Sequence, residues 1–164
     1  SNTNSNIFDN IFKTQPNVIQ DVKHDLHVSL EDLCNGVVKK IKITFSDNYV
    51  KVFNVNIKPG WKTGTKLSFK SKNKYTVVFT IIEVPHKYYI RDGNNLKWNC
   101  ILTQSQANKN IKITLPAIYK NDIVEIETKD KNIVDGYVMT LDNKGMPIKN
   151  SDIRGILLIK FLIK

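Results

Sequence analysis

The chain has 164 residues, a formal net charge of +10 and 41% hydrophobic residues. That length allows one or two small domains with real cores, and no apolar run approaches the ~18 residues of a membrane-spanning helix. Cys34 and Cys100 are the only cysteines, too isolated for a zinc-ligand set or a disulfide scaffold. No Gly-rich phosphate loop, Gly-x-Ser-x-Gly elbow or His-Glu-x-x-His helix occurs, so neither a cofactor nor an enzyme is expected.

In chain order, Ser1–Asn6 is polar, and Ile7, Phe8, Ile11 and Phe12 then recur at helical spacing with Asn6 as a candidate cap. Leu26, Val28 and Leu30 alternate as in a strand. Ser29 is a candidate N-cap with Asp32 three residues on, and Gly36 is expected to close a short helix in αL geometry. Phe53, Val55 and Ile57 share one face, as do Leu67 and Phe69, and Pro59-Gly60 suits a type II turn between them. Adjacency predicts that these two strands form a hairpin. Val77, Phe79 and Ile81 give another strand, and Thr103 with Gln106 has capping-box spacing. Ile123–Glu127 and the Ile-rich end from Ile156 read as strands, the latter buried, and Asp142–Gly145 reads as a turn.

Ile41-Lys42-Ile43-Thr44 recurs as Ile111-Lys112-Ile113-Thr114, each after an alternating strand and a short capped segment. This repeat predicts duplication: residues 1–20 as a linker, a first domain at 21–86 and a second at 87–164. The expected fold is mainly β, two tandem small sandwich-like or partly open barrel domains, each with a short helix and antiparallel strands. Open strand edges are the weakness of such folds, and lysines commonly guard them.

Charge admits two readings. Of the 25 basic residues only Arg91 and Arg154 are arginine, and the lysines are scattered, with no Arg-rich stripe or basic helix. Solvated lysines are the expectation, and a basic β-domain that binds nucleic acid or another polyanion is the alternative. The planar guanidinium groups of Arg91 and Arg154 suit them to holding loops. His24 and His27 fall on opposite faces of a strand and make no metal pair, His86 is expected to bond locally, and Glu125 with Glu127 reads as a solvated face.

Several segments together resemble a known family. Val55 through Phe69, with Pro59-Gly60 and Gly64, resembles the Pro-Gly-x-x-x-Gly segment in the C-terminal region of DnaJ-type co-chaperones. Asp25–Leu33 with Gly36 and Lys39–Ile43 resembles the opening of that region's first domain. His86 with Tyr89–Leu96 resembles the entry to the second, and Gly145-Met146-Pro147 and Arg154-Gly155 resemble its later signatures. The match spans roughly 21–160, and Ile7–Phe12 resembles the Asp-x-Phe repeats near the end of the family's Gly/Phe linker. No Cys-rich zinc insertion is present, which narrows the comparison to class II-like members.

The resemblance implies a cytoplasmic co-chaperone region with no cofactor. It would hold unfolded client polypeptides as an added strand over an apolar groove of Leu26, Ile41, Ile43 and Phe79. Lys39 and Lys42 would meet the acidic C-terminal tail of a DnaK-type (70-kilodalton heat-shock) chaperone. Their odd separation sends them to opposite faces of a strand unless Lys39 precedes the regular part, which is the expectation. Phe79→Asp should then weaken peptide binding without unfolding the chain. The sequence contains no His-Pro-Asp motif and ends before the family's dimerisation segment, so this chain is expected to be monomeric and the parent protein dimeric. His24 stands where the family usually has an apolar residue, Lys70–Lys74 replaces a Gly-rich turn, Gln106–Asn110 lacks the expected glycine, and Ile156 follows Arg154-Gly155 where an acid or Asn is common.

Overall fold

The computed structural model describes residues 20–70, 75–120 and 122–164. The expectations for Ser1–Asn6 and Ile7–Phe12, and for the segment after Lys70, lie outside the described residues. The chain is mainly β, built from eleven strands and two short helices among the described residues. In order these are β1 (Gln20–Val28), α1 (Leu30–Asn35), β2 (Val37–Thr44), β3 (Val50–Ile57), β4 (Lys66–Lys70) and β5 (Tyr75–Glu83). There follow β6 (Ile90–Asp92), β7 (Asn95–Leu102), α2 (Gln104–Ala107), β8 (Lys112–Leu115), β9 (Val124–Glu127), β10 (Val138–Leu141) and β11 (Leu157–Ile163).

The sequence repeat is a repeat of topology. In the first half β1 runs parallel to β5, β5 pairs antiparallel with β4, and β2 pairs with β3 in a separate two-stranded sheet. In the second half β7 runs parallel to β11, β11 pairs antiparallel with β10, and β8 pairs with β9. A helix follows the first strand of each set. Ser29 caps α1 through Asp32 N, and Thr103 and Gln106 form a reciprocal capping box on α2. The core is contiguous across both halves and filled by the inward positions of the alternating strands.

Three local expectations give way. Strands β3 and β4 are not a hairpin, because each pairs in a different sheet. The predicted type II turn does form at Lys58–Trp61, with Trp61 N donating to Lys58 O and Gly60 at φ 88. A second turn at Lys62–Thr65 then carries the chain across, anchored by Gly60 N to Leu33 O and Gly64 N to Ile81 O. Strands β1 and β5 are parallel rather than antiparallel, a pairing that needs the long crossover lying between them. Gly36 closes α1 at φ 79 and ψ 150, an extended left-sided conformation outside αL, and its N–H returns to Asp32 O.

The halves are tied by three polar devices. The Asn35 side chain donates to Ile118 O at 2.8 Å and accepts from Lys120 N at 2.6 Å. Arg91 donates to Trp61 O, Gly60 O and Gly93 O, and its Nη1 lies 3.3 Å from Glu83. His86 Nδ1 accepts from Tyr88 N and Tyr89 N, so its Nε2 carries the proton and donates to Glu31 Oε1 at 2.7 Å. Arg154, the other arginine, donates to Gly145 O and Asp122 and stacks on Tyr119 at 4.6 Å. Both guanidinium groups therefore organise loops.

Candidate strand-addition site

The first half has four strand edges that carry no partner among the described residues, on β1, β2, β3 and β4, and two of them flank the residues singled out in the sequence. β1 pairs only with β5, and β2 pairs only with β3. Such an edge offers a row of free backbone donors and acceptors to an extended chain.

Beneath these edges lies an aromatic floor. Phe53, Phe69 and Phe79 form a triangle of rings with centroids 5.6–5.7 Å apart, and His24 meets the edge of Phe79 at 5.6 Å. Phe79 is 0% exposed, Leu26 6% and Ile43 7%. Ile41 is half-buried against the same core, in register with Phe53. The four apolar residues singled out in the sequence all belong to, or pack against, the core that runs through both halves, at different depths. Ile41 is the one that still presents surface, and Phe79 is sealed core. A carboxylate at Phe79 would be buried without a partner, so the expectation that Phe79→Asp leaves the fold intact is corrected.

The lysines sort by strand face. β2 runs from Val37, so Lys39 lies inside the regular strand, opposite Val55, and does not precede it as expected. Lys39, Ile41 and Ile43 face inward; Val38, Lys40, Lys42 and Thr44 face outward. Lys39 is held by Asp32 of α1 at 3.1 Å. Lys42 is exposed and stands opposite Val52, which is 54% exposed, and Val38 on the same outer face is 59% exposed. One peptide can meet both Lys39 and Lys42 only from the edge they share. Two cations that sequence reasoning passed over belong to the same neighbourhood. Lys40 shares the outer face with Lys42, and Lys51 sits opposite Ile43 with its ammonium 5.1 Å from the Phe53 ring. Cross-strand register, invisible before the β2–β3 pairing is known, is the signal that finds them.

The remaining reactive groups are muted. Burial pushes the Cys34 thiol up to about 11 and raises that of Cys100, so neither is a ready thiolate. Burial likewise pushes Tyr89, which donates to Pro116 O, up to about 12. Among the described residues, no group of three or more His, Cys, Asp or Glu side chains is placed to hold a metal, and no helix is long and apolar enough to cross a membrane.

Parallel first-and-last strands in each half, an added two-stranded sheet in each, and a Pro-Gly turn locked by an arginine from the other half define a tandem β architecture. The family described as DnaJ C terminal domain matches residues 22–164, and the chain belongs to it. DnaJ protein homolog 1 of Drosophila melanogaster is 30% identical over 158 residues, covering 87% of this chain and 47% of that protein. Human DnaJ homolog subfamily B member 5 is 30% identical over 165 residues, covering 89% and 47%. Protein SIS1 of Saccharomyces cerevisiae is 28% identical over 157 residues, covering 88% and 44%. The chain spans about half the length of these curated relatives.

Proposed function

We propose that this chain is the client-binding region of a class II-like co-chaperone, and that the open edge of β2 is where an extended polypeptide adds as a strand. The observation that carries this reading is the edge of β2, without a partner among the described residues, with a half-buried Ile41 on its inner face and lysines on both faces. Main-chain hydrogen bonds would supply strength, and the surface around Ile41, floored by Leu26, Ile43 and the phenylalanine triangle, would favour apolar side chains. The same edge suits the acidic C-terminal tail of a DnaK-type chaperone, met by Lys42 and by Lys39 once released from Asp32. The topological repeat supports the division into domains at 21–86 and 87–164.

Calorimetric titration with a short acidic tail peptide is the test. Lys42→Glu should weaken binding roughly tenfold or more, since a partly desolvated charge-assisted contact contributes about 1.5–3 kcal/mol. Lys39→Glu should do the same and also set a like charge beside Asp32. Lys131→Glu, on an exposed turn, should change little. Equal losses from all three would mean diffuse charge attraction, and a steep linear fall with log salt toward nucleic acid would favour the polyanion reading instead.

A further inference from the structure

A cavity of about 600 Å³ lies where the halves meet, with Asn35 and Pro59 from the first and Tyr119, Asp122 and Arg154 among the residues from the second. That volume falls within the range of about 300–1,000 Å³ usual for small-molecule sites.

The loop-holding contacts of Arg154 leave part of its guanidinium unused. The side chain is only 10% exposed. Its Nε donates to Gly145 O and its Nη1 to Asp122, but Nη2 donates to no described residue. Among the described residues no buried side-chain nitrogen or oxygen lacks a partner, so Nη2 reaches open space, and the space that Arg154 lines is this cavity. Three more donors share the wall. Lys120 is exposed, with its ammonium 5.2 Å from the Tyr119 ring and no ion-pair partner among the described residues. Asn143 accepts from Arg154 N through Oδ1, which frees its amide N–H groups, and Ser151 accepts from Ile153 N, which frees its hydroxyl proton. Charge runs the same way. The single carboxylate of Asp122 is shared by Lys144 and Arg154, and Lys120 adds a third cation. The other carboxylate on the wall, Asp152, is exposed.

We propose that this cavity binds a small phosphate monoester, its phosphoryl oxygens held by Arg154 Nη2 and Lys120 and its organic group set against Tyr119 and Pro147. A guanidinium fork suits either a carboxylate or a phosphate. The count of donors decides between them. A carboxylate has two oxygens to offer, whereas a phosphate monoester has three and carries about 1.5 to 2 negative charges at pH 7, matching two cations flanked by two neutral donors. The site is separate from the edge of β2, and it stands or falls without the reading given to that edge.

The probe is phenyl phosphate, titrated into the full chain at constant ionic strength and followed by amide chemical shifts. Shifts should saturate and centre on Tyr119, Lys120, Asn143, Lys144 and Ser151–Arg154, leaving β2 unmoved. Phenyl sulfate, of the same shape with a single charge, should bind more weakly. Lys120→Gln alters an exposed side chain and should weaken phenyl phosphate binding roughly threefold or more, while Asp152→Asn should strengthen it and Lys131→Gln leave it unchanged. Shifts centred on β2 or scattered over the surface, no saturable binding, equal affinity for the sulfate, or unchanged affinity in Lys120→Gln would overturn the proposal. A single-stranded oligothymidylate that displaces phenyl phosphate from these residues would also overturn it, by making a nucleic-acid backbone the occupant.

Discussion

The two halves share a plan and differ in how they finish it. In the first, α1 buries Leu30, Leu33 and Cys34, and every described residue of β1 leaves its outer edge open. In the second, α2 is a four-residue turn with no buried residue, and β6 covers the start of β7 at Asn95–Lys97. The sealed sheet interiors correspond, Phe79 and Ile81 in β5 with Ile159 and Phe161 in β11, all 0% exposed. The repeated topology thus keeps the packing while the edges differ.

The largest effects should come from the shared interiors. Phe79→Ala should cost about 3–5 kcal/mol, and Phe79→Asp should leave no folded first half at all, read as loss of the cooperative thermal transition. A Phe79→Asp chain that melts near the parent would mean the aromatic floor is open to water. Next come the glycines of the turn between β3 and β4. Gly60 has φ 88 and a Cβ there would lie 2.7 Å from Pro147 O in the other half, whereas Gly64 at φ 93 has nothing within 4 Å. Gly64→Ala should cost about 1–2 kcal/mol from backbone strain alone. Gly60→Ala should cost at least about 1 kcal/mol more, because two backbones must move apart.

The contrast between the helices is sharpened by Asn35→Ala. It strands Ile118 O and Lys120 N and should cost about 1–3 kcal/mol in urea denaturation. Gln104→Ala on α2 loses one exposed bond to Asn108 and should stay within about 0.5 kcal/mol of the parent. The smallest effect is electrostatic. Hydrogen bonds from Lys144, and then Arg154, hold the Asp122 carboxyl below its ordinary value against the opposing effect of burial. A depressed carboxyl stabilises the fold above its unfolded pKa and loses that contribution as pH falls through the folded one. Stability measured from pH 5 downward should therefore fall less steeply in Asp122→Asn than in the parent.

What the sequence made legible was local. Period-2 alternation picked the inward residues of β1, β3, β5 and β11, and side-chain chemistry picked both helix caps. Pairing was not legible where it skipped neighbours: the Pro59-Gly60 turn is real, yet β3 and β4 part into different sheets, and β1 finds β5 some fifty residues away. For the candidate site, alternation told which side chains share a face but not how deeply the face is covered. Ile41 and Phe79 look equivalent as letters and differ in the fold, because β5 is central in its sheet and β2 is an edge. Asn35 and Asp122 gave no signal: the partners of Asn35 are backbone groups of the other half, and those of Asp122 are cations 22 and 32 residues further along the chain.

Hydrogen exchange of backbone amides, with and without a short acidic tail peptide, tests the central claim that the first half binds through the open edge of β2. Slowed exchange is expected at alternate amides of β2 between Lys39 and Ile43, those aimed away from β3, with no change along β7. Protection confined to the second half, or none in β2 at saturating peptide, would contradict it.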